Sequence, residues 1–207
     1  MSECILPELG LGTYRMKGET CVANVCTAIK LGYRLIDTAR VYRNEQEVGQ
    51  GIINSGVSRD ELFITSKLKP ADMKSVEKTR AAVLESLQAL QVSYIDLYLI
   101  HWPAVNRLTK DSPKHRAYRL TTWRVLETLQ REGRIRYIGV SNFNISHLEQ
   151  LIEDGISVIP QLNQVEFHPF CFQQPLLSFC HTHGTHIYTT LHDPYLYHFS
   201  SNVTCLT

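Results

Sequence analysis

The sequence has no apolar run near the ~18 residues that a membrane-spanning helix needs, which argues against a helical membrane protein. Its six cysteines, Cys4, Cys21, Cys26, Cys171, Cys180 and Cys205, include no CxxC pair. They are too sparse for a disulfide framework and point to free thiols in a reducing, cytoplasmic setting. The N-terminus, MSECILPELGLG, lacks the basic stretch and apolar core of a secretory signal. An excess of one charge is missing too: 21 Lys and Arg face 20 Asp and Glu, for a net +1. No basic face for nucleic acid is implied. No GxGxxG follows the first strand, which weakens the case for a dinucleotide-binding open sheet.

What is present is an alternation. Short apolar, β-branched runs recur at Arg34–Ala39, Leu62–Lys67, Ile95–His101, Ile135–Ser141 and Val158–Phe167. Helical patterns lie between them. Ser75–Gln91 places Val76, Val83, Leu87 and Leu90 on one face, and Leu120–Arg131 repeats this with Trp123, Leu126 and Leu129. Asn144–Glu153 opens with Ser146 as N-cap and Glu149 at capping-box spacing. Strand alternating with helix predicts βαβ units and a parallel sheet covered on both faces. Two closures compete, a doubly wound open sheet and a (β/α)8 barrel. The strands end in polar residues: Asp37, Lys67, His101, Ser141 with Asn142, and Gln164. A barrel gathers all strand C-termini on one face, whereas an open sheet spreads them along a line.

On one barrel mouth those residues form a chemical set. Lys67 and Asp37 can pair in a partly dry site, and Tyr42, in the loop beyond Asp37, can reach over it. A nearby ammonium favours the phenolate, so Lys67 is expected to lower the pKa of Tyr42. His101 can hydrogen-bond a substrate oxygen or the phenol. Such a set can give a proton to a carbonyl oxygen while a cofactor delivers hydride to the carbon. Ser141, Asn142 and Gln164 are the group types that hold a nicotinamide carboxamide. Plainer roles fit the same residues taken singly. Gly12 also suits a tight turn, Ser141 and Asn142 a helix N-terminus, and Trp102 plain core.

GYRLIDTARVYRNEQEVG (Gly32–Gly49) and GRIRYIGVSNF (Gly133–Phe143) closely resemble the two signatures of the aldo-keto reductases. ELGLGTY, LFITSKL, DLYLIHWP and PQLNQVEFHP follow that family's order and spacing, from about Leu6 to Gly184. The resemblance implies a (β/α)8 barrel that binds NADP(H), acts as a monomer and reduces small aldehydes and ketones. It gives Asp37, Tyr42, Lys67 and His101 the places of a catalytic tetrad, with Tyr42 as the acid. It gives Ser141, Asn142 and Gln164 the carboxamide contacts, with Gly12, Thr13 and Asp37 also at cofactor positions. Tyr14, Trp102 and His101 take places in the substrate pocket. The polar loop Ala104–Arg119 suits a polar carbonyl substrate, and equally a solvated loop.

After Gly184 the resemblance stops. Residues 1–184 read as an incomplete barrel and 185–207 as a divergent tail. Thr185–Leu191 has the β-propensity of a seventh strand, but an eighth strand, the last helices and the 2′-phosphate grip are not recognisable. Tyr188 is out of register for the tyrosine that stacks on nicotinamide. These features predict a truncated form with two open strand edges. The alternative function is therefore a catalytically impaired isoform acting as a non-catalytic partner. His181, His183, His186, His192 and His198 enrich this region without a firm ligand set, so no metal is expected, and Asn202–Thr204 is a glycosylation pattern expected to be silent.

Overall fold

A computed structural model describes residues 6–109, 111–190 and 204–206, with Thr190 and the last three described by backbone alone. Eight parallel strands follow one another around a closed ring. They are β1 (Leu9–Gly12), β2 (Leu35–Asp37), β3 (Phe63–Leu68), β4 (Ile95–Ile100), β5 (Ile135–Ser141), β6 (Leu162–Val165), β7 (His186–Thr190) and β8 (Thr204–Leu206). Among the described residues, α-helices follow the first six strands: α1 (Gly18–Lys30), α2 (Glu45–Ser55), α3 (Val76–Leu90), α4 (Lys114–Arg131), α5 (Ile145–Glu153) and α6 (Gln174–Thr182). The fold is thus a barrel of the (β/α)8 type that lacks its last helices in the described part.

One expectation about the strands is corrected. The eighth position is not empty, because Thr204–Leu206 pairs with β7 on one side and β1 on the other. Unpaired N–H and C=O groups on the edges of β1 and β7 are costly, and a short extended segment satisfies them. The open edges that favoured a non-catalytic docking role are therefore paired. β7 itself lies where its propensity placed it, with Gln164 opposite Tyr188.

The strand period of two separates two apolar layers. Leu35, Phe63, Leu97, Leu99, Leu162 and Tyr188 form one cluster, which fills the barrel. Their neighbours Ile36, Ile64, Tyr98, Ile100 and Val140 join the other, against the helices. Every residue of β3 and β4 is buried, as both-sided coverage requires. Gly139 permits the β5–β6 approach, since a Cβ there would lie 2.6 Å from the Leu162 carbonyl oxygen. Gly51 does the same for α1 and α2, with Val25 Cβ at 2.7 Å from that position.

Three helix details differ from expectation. Val76 is exposed, because it sits in the first turn of α3 and lines a groove against Arg124 and Val125 of α4. Helix α4 starts at Lys114, inside the supposed loop, because His115 and Arg119 turn their polar groups inward to Val105 N–H and the Pro103 carbonyl. The capping box of α5 is Asn144 with His147, not Ser146 with Glu149. Asn144 has extended backbone and its Oδ1 accepts from His147 N–H at 3.0 Å, so the helix begins before Ser146 can cap it.

The four described cysteines, Cys21, Cys26, Cys171 and Cys180, are free thiols. Among the described residues no helix is long and apolar enough to cross a membrane. Cys4, His192, His198, Asn202 and Val203 lie outside the described residues.

Candidate active site

The C-terminal ends of β2, β3, β4, β5 and β6 bring most of the chemically promising residues together. Asp37 ends β2 and is 2% exposed. Lys67, one residue from the end of β3, is 1% exposed and donates from Nζ to Asp37 Oδ1. The same Nζ donates to the Thr38 carbonyl at 3.0 Å and lies 5.2 Å from the Tyr42 ring centroid. Tyr42 is carried by a 3₁₀ turn, Arg40–Tyr42, directly after β2. Its ring meets His101 edge-on at 5.9 Å and Tyr14 at 5.1 Å, centroid to centroid. Trp102 stacks on His101 at 6.3 Å and is half exposed, so it is rim and not plain core.

The electrostatics differ from expectation in one respect. Lys67 does favour the Tyr42 phenolate, but burial outweighs it, and Asp37 and Tyr14 oppose it too. The phenol is held above its ordinary pKa and stays protonated at neutral pH. Spacing along the chain shows the ammonium but not the desolvation, which needs the packed site. His101 moves the other way: burial, aided by Lys67, pushes its imidazole down to about 3. It is neutral at physiological pH, and its buried Nδ1 has no hydrogen-bond partner among the described residues. A protonated phenol and a neutral imidazole side by side can both address one carbonyl oxygen.

Ser141, Asn142 and Gln164 form the adjoining wall. The Ser141 hydroxyl donates to the Gln164 carbonyl at 2.9 Å, and the Gln164 amide donates to Asp37 Oδ2 at 2.9 Å. Asn142 takes a left-handed backbone, φ 62°, and donates from Nδ2 to the His101 carbonyl at 2.9 Å and to Ser141 Oγ at 3.1 Å. It is thus tied to the site and does not cap α5. With these donors engaged on the protein, the wall keeps acceptor oxygens for a ligand, which complements the NH2 of a carboxamide. Gly12 sits in β1 opposite Asp37 and serves no turn. Thr13 is buried and donates twice to the Asp37 carbonyl, from N at 2.9 Å and Oγ1 at 3.1 Å.

Two supporting residues escaped the sequence reading. Asn44 precedes α2 and looks like an N-cap, yet makes no capping bond. Its buried amide donates instead to the Thr13 carbonyl at 2.8 Å and the Met16 carbonyl at 3.1 Å, while its Oδ1 accepts from Thr38 at 3.1 Å. Glu45 is buried with its carboxyl pushed up by burial, and accepts from the Ser66 hydroxyl at 2.6 Å, beside Lys67. The one available signal was their place directly after Tyr42, where charged and polar residues read as exposed helix.

The aldo/keto reductase family profile matches residues 8–195. The chain is 48% identical to glyoxal reductase of Bacillus subtilis over 180 residues, covering 86% of this chain and 60% of that protein. It is 43% identical to methylglyoxal reductase DkgA of Escherichia coli over 179 residues, again 86% of this chain and 60% of that one. The chain thus spans about 60% of the length of these curated relatives. A crystal structure of an aldo/keto reductase from Brucella melitensis superposes with a TM-score of 0.81 at 40% identity, over 91% of this chain and 72% of that one.

Proposed function

From the chain's membership of the aldo/keto reductase family, we propose that it reduces small carbonyl compounds with a nicotinamide cofactor, NADPH in the first instance. The observation that carries this is the meeting of Tyr42, Lys67, Asp37 and His101 at the barrel mouth. Relatives named as glyoxal and methylglyoxal reductases support small dicarbonyls as the substrate class.

When bound, the cofactor supplies the hydride that no side chain has. Ser141, Asn142 and Gln164 would hold its carboxamide, and Gly12, Thr13 and Asp37 would contribute further contacts. The carbonyl oxygen sits between Tyr42 and His101. Tyr42 gives its proton to that oxygen as charge develops there. His101 donates a hydrogen bond to the same oxygen and, being neutral, does not compete as the proton source. Lys67, fixed by Asp37, steadies the phenolate left behind. Tyr14 and Trp102 flank the substrate at the rim.

The test is direct. The purified chain, mixed with NADPH and methylglyoxal, is expected to consume NADPH at a rate that saturates with substrate. Cofactor binding without any carbonyl-dependent consumption would refute the proposal.

A further inference from the structure

We propose that Arg40 is a positioning residue for Tyr42, staking the turn that carries the phenol to helix α3. This rests on the reading of Tyr42 as the proton donor. The turn is weakly held by its own backbone. It contains three residues, has no side-chain cap, and makes bonds from Tyr42 N–H to the Ala39 carbonyl at 2.9 Å and from Arg43 N–H to the Arg40 carbonyl at 3.3 Å. Arg43 closes it in the left-handed region, φ 58°, and Val41 at its middle is half exposed. A lone three-residue 3₁₀ turn, with one of its two bonds stretched to 3.3 Å, is a weak support for a phenol that must be placed to within a fraction of an ångström.

The guanidinium of Arg40 supplies the missing anchor. Its Nε donates to Asp72 Oδ2 at 3.1 Å, Nη1 to the Ala82 carbonyl at 2.8 Å, and Nη2 to Glu85 Oε2 at 2.6 Å. The Arg40 side chain is 11% exposed, so its bonds to Asp72 and Ala82 are largely shielded from water, while the Glu85 carboxylate lies at the surface. Asp72 lies in the loop after β3, and Ala82 and Glu85 lie on α3, so one planar fork ties the turn to two further elements. Asn44 and Thr38 hold the same segment from the β1 side. Arg40 touches none of the reacting groups. Its effect reaches them through the two peptide units that join it to Tyr42.

Hydrogen exchange on the whole chain tests the anchor. In Arg40→Met, the amides of Tyr42 and Arg43 are expected to exchange at least ~10-fold faster, with β3 and β4 amides unchanged. Unchanged exchange at Tyr42 and Arg43 would overturn the proposal. Asp154→Ala, which removes a remote partner of Arg116, is the control. Equal acceleration there would mean a global effect and would also overturn it. If Arg40→Met does not fold, Glu85→Ala removes one exposed acceptor and is expected to speed the same two amides; no change would overturn the proposal. In turnover, kcat of Arg40→Met is expected to fall at least ~10-fold with the Kd for NADPH unchanged. A raised Kd with unchanged kcat would contradict positioning. If the wild-type chain shows no turnover, the carbonyl-reductase reading fails, while exchange still decides whether Arg40 holds the turn.

Discussion

Gln164 Nε2 donates to Asp37 Oδ2 at 2.9 Å across 127 residues of sequence. With Lys67 on Oδ1, both carboxylate oxygens of Asp37 are engaged from opposite sides of the barrel mouth. The bond joins the wall of Ser141, Asn142 and Gln164 to the ion pair. Gln164→Leu is expected to lower stability by ~1.5–3 kcal/mol, the range for a hydrogen bond to a charged group, and to weaken NADPH binding. Gln164→Glu sets two carboxylates against each other and is expected to cost more at neutral pH, with relief on acidification. Urea denaturation of both variants at two pH values checks the pair.

Lys67→Met leaves Asp37 buried and unpaired. Breaking a buried pair by removing one partner costs ~3–5 kcal/mol, a large share of a typical ~5–15 kcal/mol native stability. The double variant Asp37→Leu with Lys67→Met is expected to recover much of that loss while staying inactive. Thermal melts with parallel assays separate the two effects.

Asp96 forms a comparable lock at the other end of the barrel. It is 1% exposed and accepts from Ile64 N–H at 2.9 Å, from Arg136 at 3.0 Å and from Arg59 at 2.5 Å. The two arginines sandwich Tyr94, each 4.0 Å from its ring centroid. Asp96→Ala is expected to destabilise by several kcal/mol, since it removes the carboxylate shared by the buried Ile64 N–H and the partly buried Arg59. It lies at the N-terminal end of β4, away from the mouth, so the NADPH Kd of the folded fraction is expected to stay unchanged.

His101 links stability to pH. Its folded pKa, about 3, lies below the ordinary histidine value. The unfolded chain therefore takes up a proton first as pH falls. The stabilisation is complete above the ordinary histidine pKa and is lost as pH drops from there toward 3, by up to about 5 kcal/mol on this group. His147, lowered to about 4 but only partly buried, acts in the same direction and more weakly. Glu45 opposes both, because its raised carboxyl costs stability as pH rises above the ordinary carboxylate range. Urea midpoints between pH 7 and pH 5 are expected to fall for the wild type and to fall less for His101→Gln.

Much of this architecture is legible in the sequence, for reasons tied to particular residues. Leu35 with Ile36, and the fully apolar Ile95–Ile100 apart from Asp96, declare strands buried on both faces. Asp37, Lys67 and His101 stand out because a charge or imidazole closing such a run has no use in a core. The start of α4 was hidden because Lys114–Arg119 is polar by composition, although His115 and Arg119 are buried. The Tyr42 pKa direction was hidden because burial is a property of the assembled mouth. Asn44 and Arg40 act through side-chain bonds to distant backbone, which no local pattern records. Thr204–Leu206 as a strand was unreadable because its cause is the pair of free edges it meets, on β1 at Leu9 and Gly10 and on β7 at Tyr188–Thr190, far apart in sequence.

The most direct test of the account compares Tyr42→Phe with wild type in steady-state reduction of methylglyoxal, alongside NADPH titration. The substitution removes one hydroxyl and keeps the ring contacts with Tyr14 and His101. The expected result is a fall in kcat of at least ~100-fold with little change in NADPH affinity. Near wild-type kcat in Tyr42→Phe would contradict the account.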